Sequence, residues 1–262
     1  MPIRASAPTG SPCWTDLWTS DVDGSRRFYS ELMGWEAQEP SPEFGGYFMF
    51  TRDGVPVAGA MGPMGDMSAS DSWSVYLSVD DLAKTLVTAE QADAQIVSPA
   101  MEIADLGRQA VLVDPTGAQI GAWQPGTFPG FTVLGEPGAP SWFELHTRDH
   151  ATAVDFYRST FGWDTDIVAD TDEFRYTTML GPDRGEELAG IMDVSTLPPD
   201  SFPVRWGIYW EVHDVDAAVA KVEVLGGSVE ADAEDTPYGR IAMVADPAGA
   251  SFRLRARPAG ER

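Results

Sequence analysis

The chain repeats one sequence pattern at a spacing of 128 residues, which indicates two copies of one domain. Segment 12–35 reads PCWTDLWTSDVDGSRRFYSELMGW, and segment 140–163 reads PSWFELHTRDHATAVDFYRSTFGW. The similarity resumes at WSVYLSVDDL (73–82) and WGIYWEVHDV (206–215), and again at DPTG (114–117) and DPAG (246–249). Solenoid repeats have much shorter periods, so a whole domain was duplicated.

The composition is typical of a globular cytoplasmic protein. The chain has 17 Lys and Arg residues against 41 Asp and Glu residues, and a net charge of −24 disfavours nucleic acid and anionic membrane surfaces as partners. The single cysteine, Cys13, excludes an intrachain disulfide and fits a reducing compartment. The polar N-terminus does not resemble a signal peptide, and no apolar run is long enough to span a bilayer.

Hydrophobic periodicity divides each copy into two units of a strand, a helix and further strands. In the first copy it predicts strands at 14–19, 46–51, 55–61, 74–79, 109–113 and 119–123 and near Ile96, and helices at 21–33 and 81–92. Ser20 or Asp21 can cap the first helix, and Gly34 can end it. Four glycines and four prolines in 124–140 indicate a linker. We therefore predict a loose tail at 1–11, a first module at 12–124, a linker at 125–139, a second module at 140–257 and a tail at 258–262.

The order of these motifs resembles the vicinal oxygen chelate superfamily, which includes glyoxalase I, extradiol dioxygenases and bleomycin- and fosfomycin-resistance proteins. The matching features are a strand, a helix containing Phe-Tyr and ending in Gly-Trp, and a late Gly-Arg followed by Asp-Pro-x-Gly. They occur twice between about residues 11 and 255. The resemblance implies an α+β fold of two fused modules. Each module would hold two βαβββ units whose mostly antiparallel sheet curls into a cup for a small ligand.

The resemblance also implies where a catalytic divalent metal would be bound. Carried onto this sequence, the three ligand positions fall on Trp14, Ser74 and Gly121 in the first module and on Trp142, Gly207 and Arg253 in the second. None of these is a usual metal ligand, and Arg253 adds a fixed positive charge. We therefore predict no metal and no cofactor. A displaced metal site of Glu144, His146 and Glu211 stays open, as does a metal-dependent glyoxalase or dioxygenase.

Strand alternation extends these positions to a full lining for each cup, because residues two apart share a face. The residues predicted to face the first cup are Trp14, Asp16, Trp18, Ser74, Tyr76, Ser78, Gln119, Gly121 and Trp123. Those predicted to face the second cup are Trp142, Glu144, His146, Gly207, Tyr209, Glu211, Ser251, Arg253 and Arg255. The opposite faces are apolar. Two alternatives remain: the tryptophans can be plain core, and the charged residues can be an internal ion-pair network.

Two functions compete for these cups. We favour a metal-independent binder of a small aromatic or conjugated metabolite or antibiotic, held by the aromatic residues together with Asp16 and Glu211. The alternative is a metal-free isomerase, cyclase or lyase in natural-product metabolism. In that enzyme Glu144 and His146 would act as acid and base, and Arg253 would hold a carboxylate or enolate. We expect a monomeric pseudo-dimer or a homodimer. The sequence leaves open whether each cup lies within one module or between the two.

Overall fold

Each copy of the repeat folds as one eight-stranded sheet with two helices in the computed structural model, which describes residues 6–65, 69–182 and 186–258. The first module comprises β1 (Pro12–Trp18), α1 (Val22–Met33), β2 (Glu36–Ala37), β3 (Phe48–Arg52), β4 (Val55–Met61), β5 (Ser72–Ser78), α2 (Leu82–Gln91), β6 (Gln95–Ile103), β7 (Gly107–Val113) and β8 (Gln119–Pro125). The second comprises β9 (Pro140–Thr147), α3 (His150–Phe161), β10 (Asp164–Asp170), β11 (Arg175–Leu180), β12 (Glu187–Asp193), β13 (Arg205–Glu211), α4 (Val215–Val224), β14 (Ser228–Thr236), β15 (Gly239–Ala245) and β16 (Ser251–Ala256).

The strand order shows that each module is a pair of βαβββ units. The order is β2-β3-β4-β1-β5-β8-β7-β6 in the first sheet and β10-β11-β12-β9-β13-β16-β15-β14 in the second. The first strands of the two units lie side by side and antiparallel at the centre of each sheet. The predicted α+β duplication is therefore confirmed. Because both central strands belong to one module, each cup also lies within a module.

The helix ends follow the predicted capping chemistry. The side chain of Asp21 accepts a hydrogen bond from the backbone N–H of Gly24 at the start of α1. Gly34 ends the helix in the left-handed conformation, with a φ of 73°. Asp149 and Gly162 do the same for α3. The repeated pattern therefore produces the same strand–helix corner in both modules.

The two modules share one continuous core rather than holding separate ones. Tyr29 Oη of α1 donates to Asp246 Oδ2 of the second module (3.0 Å), and Tyr157 Oη of α3 donates to Asp114 Oδ2 of the first (2.9 Å). Beside these bonds the ring of Trp210 packs 4.8 Å from that of Trp35. Each Asp-Pro-x-Gly turn thus receives a tyrosine from the other module.

The segments outside the modules are also packed. Gly10 N–H donates to Ser78 O (2.7 Å), and Trp163 Nε1 donates to Gly10 O (2.8 Å). The prediction of a loose tail is therefore wrong for the residues next to β1, because a carbonyl there satisfies a buried indole. The predicted tails at 1–5 and 259–262 lie outside the described residues. None of the helices in the described ranges is long and apolar enough to cross a membrane.

Candidate functional site

A buried carboxylate with tyrosine and tryptophan donors lies on the cup face of the first sheet. Asp16 Oδ1 accepts hydrogen bonds from Trp14 Nε1 (2.9 Å) and Tyr47 Oη (2.8 Å), and Tyr76 donates to the same carboxyl group. Trp14 Nε1 also lies 2.9 Å from Tyr47 Oη. The donors come from three different segments, so sheet formation assembles the cluster.

The second module carries the same cluster at equivalent positions, with Glu144 in place of Asp16. Tyr176 Oη donates to Glu144 Oε2, and Tyr209 Oη donates to Oε1, both at 2.8 Å. Trp142 Nε1 donates to Tyr176 Oη at 2.9 Å. The predicted residues Trp142, Glu144 and Tyr209 therefore meet in one hydrogen-bonded group.

Two glycines on the neighbouring strands provide the space for these tyrosines. Gly59 pairs with Asp16, and a Cβ atom there would lie 1.8 Å from Tyr47 Oη. Gly190 pairs with Glu144, and a Cβ atom there would lie 2.0 Å from Tyr176 Oη. Any larger residue at either glycine position would displace the tyrosine from its carboxylate.

The sequence analysis missed Tyr47 and Tyr176, although both belong to the clusters. Tyr47 immediately precedes β3, and Tyr176 is the second residue of β11. Both follow loops of unequal length, and their spacing is 129 residues rather than 128. A search for aromatic residues near the equivalent strand starts could have found them.

The second cluster differs from the first by its histidine and arginine. His146 Nε2 lies 3.0 Å from Glu144 Oε1 and 2.8 Å from Arg253 Nη2, and the guanidinium lies 4.9 Å above the Tyr209 ring. Nε2 can donate to Glu144 or accept from Arg253, but not both. The side chain of His146 is only 2% exposed, and its Nδ1 has no hydrogen-bond partner among the described residues. Nδ1 is thus a buried polar atom of this cluster that the described protein groups do not satisfy.

The protonation states of this group follow from burial and from Arg253. Burial raises the pKa of Glu144, but the hydrogen bond from His146 and the charge of Arg253 outweigh it and hold that pKa well below its usual range. Burial lowers the pKa of His146, and Arg253 lowers it further, against the opposing effect of Glu144. At neutral pH the site therefore holds an ionised Glu144 and a neutral imidazole.

The pKa of the carboxyl group in the first cluster is shifted in the opposite direction. Burial raises the pKa of Asp16 to about 6, in spite of the hydrogen bonds from Tyr47, Tyr76 and Trp14. The two modules therefore contain the same donor arrangement around carboxyl groups of different ionisation.

The raised pKa of Asp16 predicts how the stability of the Asp16→Asn variant, relative to the parent protein, changes with pH. Because the pKa of Asp16 is raised in the folded protein, this group contributes its full stabilisation below pH 3.8. That contribution to the unfolding free energy is lost as pH rises through about 6. Ionised Asp16 then costs up to about 3 kcal/mol, which asparagine avoids. From about pH 4 to about pH 7.5 the variant should gain about 2–3 kcal/mol in unfolding free energy relative to the parent. Urea unfolding measures it, with exposed Asp93→Asn as the control. A difference in unfolding free energy between variant and parent that stays constant over this pH range would contradict the raised pKa of Asp16.

The first cup is filled by side chains of the interdomain linker. The ring of Phe128 meets that of Trp14 edge to face at 4.8 Å, and Phe131 lies 5.2 Å from Trp14. Trp123 Nε1 donates to Phe128 O at 3.1 Å. The predicted ligand-binding residues Trp14 and Trp123 are therefore engaged in packing with the linker. In this cup the plain-core alternative describes the geometry.

The second cup is covered by a loop of its own module. Arg148 donates to the carbonyl oxygens of Val194, Ser195, Leu197 and Phe202 at 3.0–3.3 Å. The ring of Phe202 lies 5.8 Å from the His146 ring. Residues 194–204 thus form a mostly exposed cover, which we call the 194–204 loop, and one guanidinium holds it in place.

Two predicted site residues lie apart from the clusters. Glu211 is four residues beyond Gly207, the residue that pairs with Glu144, and its Oε1 accepts from the backbone N–H of Arg257 at 3.0 Å. Trp18, at the end of β1, is half-buried. Glu211 therefore does not contact Glu144 or His146. It is the last residue of β13, and its side chain lies beside Arg257 near the end of the chain.

The residues present do not fit a metal ion at the positions that the family resemblance implies. Within the described parts of the chain, no three His, Cys, Asp or Glu side chains converge as a metal site. In the second module Arg253 Nη1 lies 2.6 Å from where a Cβ atom of Gly207 would be. A guanidinium therefore occupies the space between two of the mapped positions, and its charge would repel a cation.

A shallow groove at the module interface is a weaker candidate. It lies between the end of α2 and α3 and is lined by residues that include Asp93, Asp155 and Arg158, all exposed. The groove's charged groups are exposed, whereas the Glu144 cluster holds buried groups with perturbed pKa values. The second cup is therefore the better candidate.

Comparison with known proteins identifies the family and its range of members. The model of the glyoxalase/bleomycin resistance protein/dioxygenase superfamily matches residues 13–121 and 140–254. The anthracycline biosynthesis protein DauV of Streptomyces sp. strain C5 is 36% identical over 259 residues, covering 94% of this chain and 92% of DauV. The putative glyoxylase CFP32 of Mycobacterium bovis is 34% identical over 259 residues, covering 97% of both chains.

Solved structures resemble this chain in fold at low sequence identity. The Mn(II)-bound glyoxalase from Novosphingobium aromaticivorans has a TM-score of 0.65 at 14% identity, covering 95% of this chain and 82% of its own. The 2,3-dioxygenase LapB from Pseudomonas sp. KL28 has a TM-score of 0.63 at 13% identity, covering 98% and 96%. At this identity the likeness extends to the fold alone.

Proposed function

The chain belongs to the glyoxalase/bleomycin resistance protein/dioxygenase superfamily, and from that membership we propose that it binds a small planar aromatic molecule in its second cup without a metal. The observation that carries this proposal is the unpartnered Nδ1 of His146, which is buried among Glu144, Arg253 and two tyrosines. A buried polar atom without a partner is costly, and a bound ligand would satisfy it.

The chemistry of the cup wall supports a flat, conjugated ligand. Trp142 is half-buried, and Phe174 stacks at 5.7 Å on Tyr176, so aromatic surface reaches from the exterior to the cluster. Aromatic faces favour offset stacking with planar rings. The likeness to DauV, a protein named for anthracycline biosynthesis, supports the same class of fused aromatic rings. Phe202 covers His146, so a ligand enters when the 194–204 loop moves.

The pairing of Glu144 with His146 favours a second candidate function. When Nε2 donates to Glu144, the carboxylate fixes the ring and leaves the lone pair of Nδ1 as a base. Arg253 would then stabilise an enolate formed by proton removal. This candidate is a metal-free enzyme that moves a proton on the bound aromatic molecule. The cytoplasmic location and the state of monomer or homodimer stay predictions.

Fluorescence titration with an anthraquinone tests the binding proposal. We expect saturable tryptophan quenching that a chelator leaves unchanged, because no metal takes part. Trp142→Leu should weaken binding about 5-fold to 30-fold through lost stacking. The matched Trp123→Leu change, in the filled first cup, should alter affinity less than about twofold.

A titration in D₂O with an anthrone, whose CH₂ group can lose a proton to form an enolate, separates the two candidates and can refute both. Deuterium exchange at that CH₂ no faster than without protein supports the binder, whereas exchange accelerated by the protein supports the enzyme. If Trp142→Leu and Trp123→Leu weaken binding equally, or if a chelator abolishes binding, the proposed site is contradicted.

A further inference from the structure

At three positions the second cup has a basic side chain where the equivalent residue of the first cup is not basic. Position 18 is Trp and its counterpart is His146; position 72 is Ser and its counterpart is Arg205; position 121 is Gly and its counterpart is Arg253. The flanking motifs fix these equivalences, since Trp73 matches Trp206. The change is therefore local to one face of one sheet.

The sheet register brings these three groups together. Arg205 on β13 pairs directly with His146 on β9. Arg253 reaches from β16 across β13, over the gap left by Gly207, and its Nη2 lies 2.8 Å from His146 Nε2. Arg205, Gly207 and Tyr209 share the cup face of β13 by alternation. Extending the predicted face by one step, from Gly207 back to Arg205, would have found this residue.

Each guanidinium in this corner has, among the described residues, a carboxylate partner only near the outer limit of an ion pair. Glu144 Oε1 is 3.9 Å from Arg253, and Glu230 at the rim is 4.0 Å from Arg205, which also donates to Ser251 Oγ (2.8 Å). Burial lowers the pKa of Arg205, and the nearby charge of Arg253 lowers it further. The two guanidiniums therefore have carboxylate partners only at 3.9–4.0 Å within the described ranges, which leaves N–H donors that an anionic ligand could accept from.

We propose that Arg205 and Arg253, together with Nδ1 of His146, form a subsite for the carboxylate of an aromatic acid, which makes Arg205 a specificity-determining residue of the second cup. The proposal rests on the proposed function, since it names the substrate class of that site. A planar carboxylate matches the fork of guanidinium donors, and in the tautomer whose Nε2 accepts from Arg253 the Nδ1–H of His146 adds a third donor. Arg205, with a side chain 35% exposed, would meet the anion at the rim.

Two ligands of the same shape test this subsite, anthraquinone-2-carboxylate and anthraquinone-2-carboxamide, each titrated by calorimetry. The parent protein should bind the carboxylate at least about 10-fold more tightly than the amide. Arg205→Gln should weaken the carboxylate about 5-fold to 30-fold and change the amide less than about twofold, with Arg205→Lys intermediate. Arg240→Gln, which removes one positive charge that is paired with Asp216 of α4, should leave both affinities unchanged.

The possible results separate the subsite from the cup itself. Equal affinities for the two ligands, with Arg205→Gln changing neither, would overturn the subsite and leave the binding function standing. Equal weakening of the carboxylate by Arg205→Gln and Arg240→Gln would also overturn it, since overall charge would then explain the effect. Failure of both ligands to bind the folded parent protein would overturn the proposed function and the subsite with it.

Discussion

Replacing Glu144 with alanine is expected to lower the free energy of unfolding by about 3–5 kcal/mol, the cost of leaving a buried charge without its partner. Arg253 is 7% exposed and would remain charged beside His146. Tyr176 and Tyr209 would also lose their acceptor. Urea unfolding at neutral pH measures the change. The exposed Glu223→Ala variant is the control and should differ by less than about 0.5 kcal/mol.

A double variant isolates the charge from the lost contacts. Adding Arg253→Met to Glu144→Ala removes both buried charges, so the double variant should be more stable than Glu144→Ala alone. If the second change destabilises further, the pair does not interact as described. The loss should also disappear in acid. The pKa of Glu144 is lowered to about 2, so its contribution is present above the ordinary value of 4.5 and is lost as pH falls toward 2.

Neither half of the chain is expected to fold when it is produced alone. A cut after residue 132 separates the modules and exposes Tyr29, Trp35 and Trp210, whose rings meet across the interface. Trp35 Nε1 would also lose its acceptor, the carbonyl of Gly138. An ordinary domain is stable by only about 5–15 kcal/mol, so losses of this kind are large against its stability. Each half should therefore show poor dispersion in a ¹⁵N–¹H spectrum.

Mixing the halves provides the control. The linker divides naturally at this point, because Phe131 N–H bonds to Cys13 O and Gly138 N–H bonds to Glu211 O. Co-refolded halves should therefore recover the dispersed spectrum of the intact chain. A well-dispersed spectrum from one isolated half would show that a module is self-sufficient.

Strand alternation was enough to predict most of the second cluster. Once Trp142 and Arg253 were placed on one face, parity added Glu144, His146 and Tyr209, and these side chains are in hydrogen-bond or ring contact. The repeat likewise predicted two units of a strand, a helix and further strands in each copy, and the family resemblance implied their βαβββ order. Local patterns succeed here because each strand has a fixed period of two.

Contacts between distant segments could not be predicted in this way. The composition of 125–139 indicated a linker, but the insertion of Phe128 against Trp14 depends on the path that the linker takes. The bond from Tyr29 to Asp246 joins residues 217 apart, and it exists only because the modules dock. Glu211 has the predicted parity, yet its position along β13 carries it away from the cluster.

The paired bonds from Tyr29 to Asp246 and from Tyr157 to Asp114 are one contact made in both directions. Such reciprocity is what a two-fold axis creates when identical subunits associate. Under that symmetry every substitution is made twice, so an arginine at the position of Gly121 and Arg253 would enter both sites together. Joining the subunits in a single polypeptide removes that obligation. One site can then be closed by the connecting segment and serve as a stable half of the interface, while the other accumulates charged groups that a symmetric assembly would have to tolerate in duplicate.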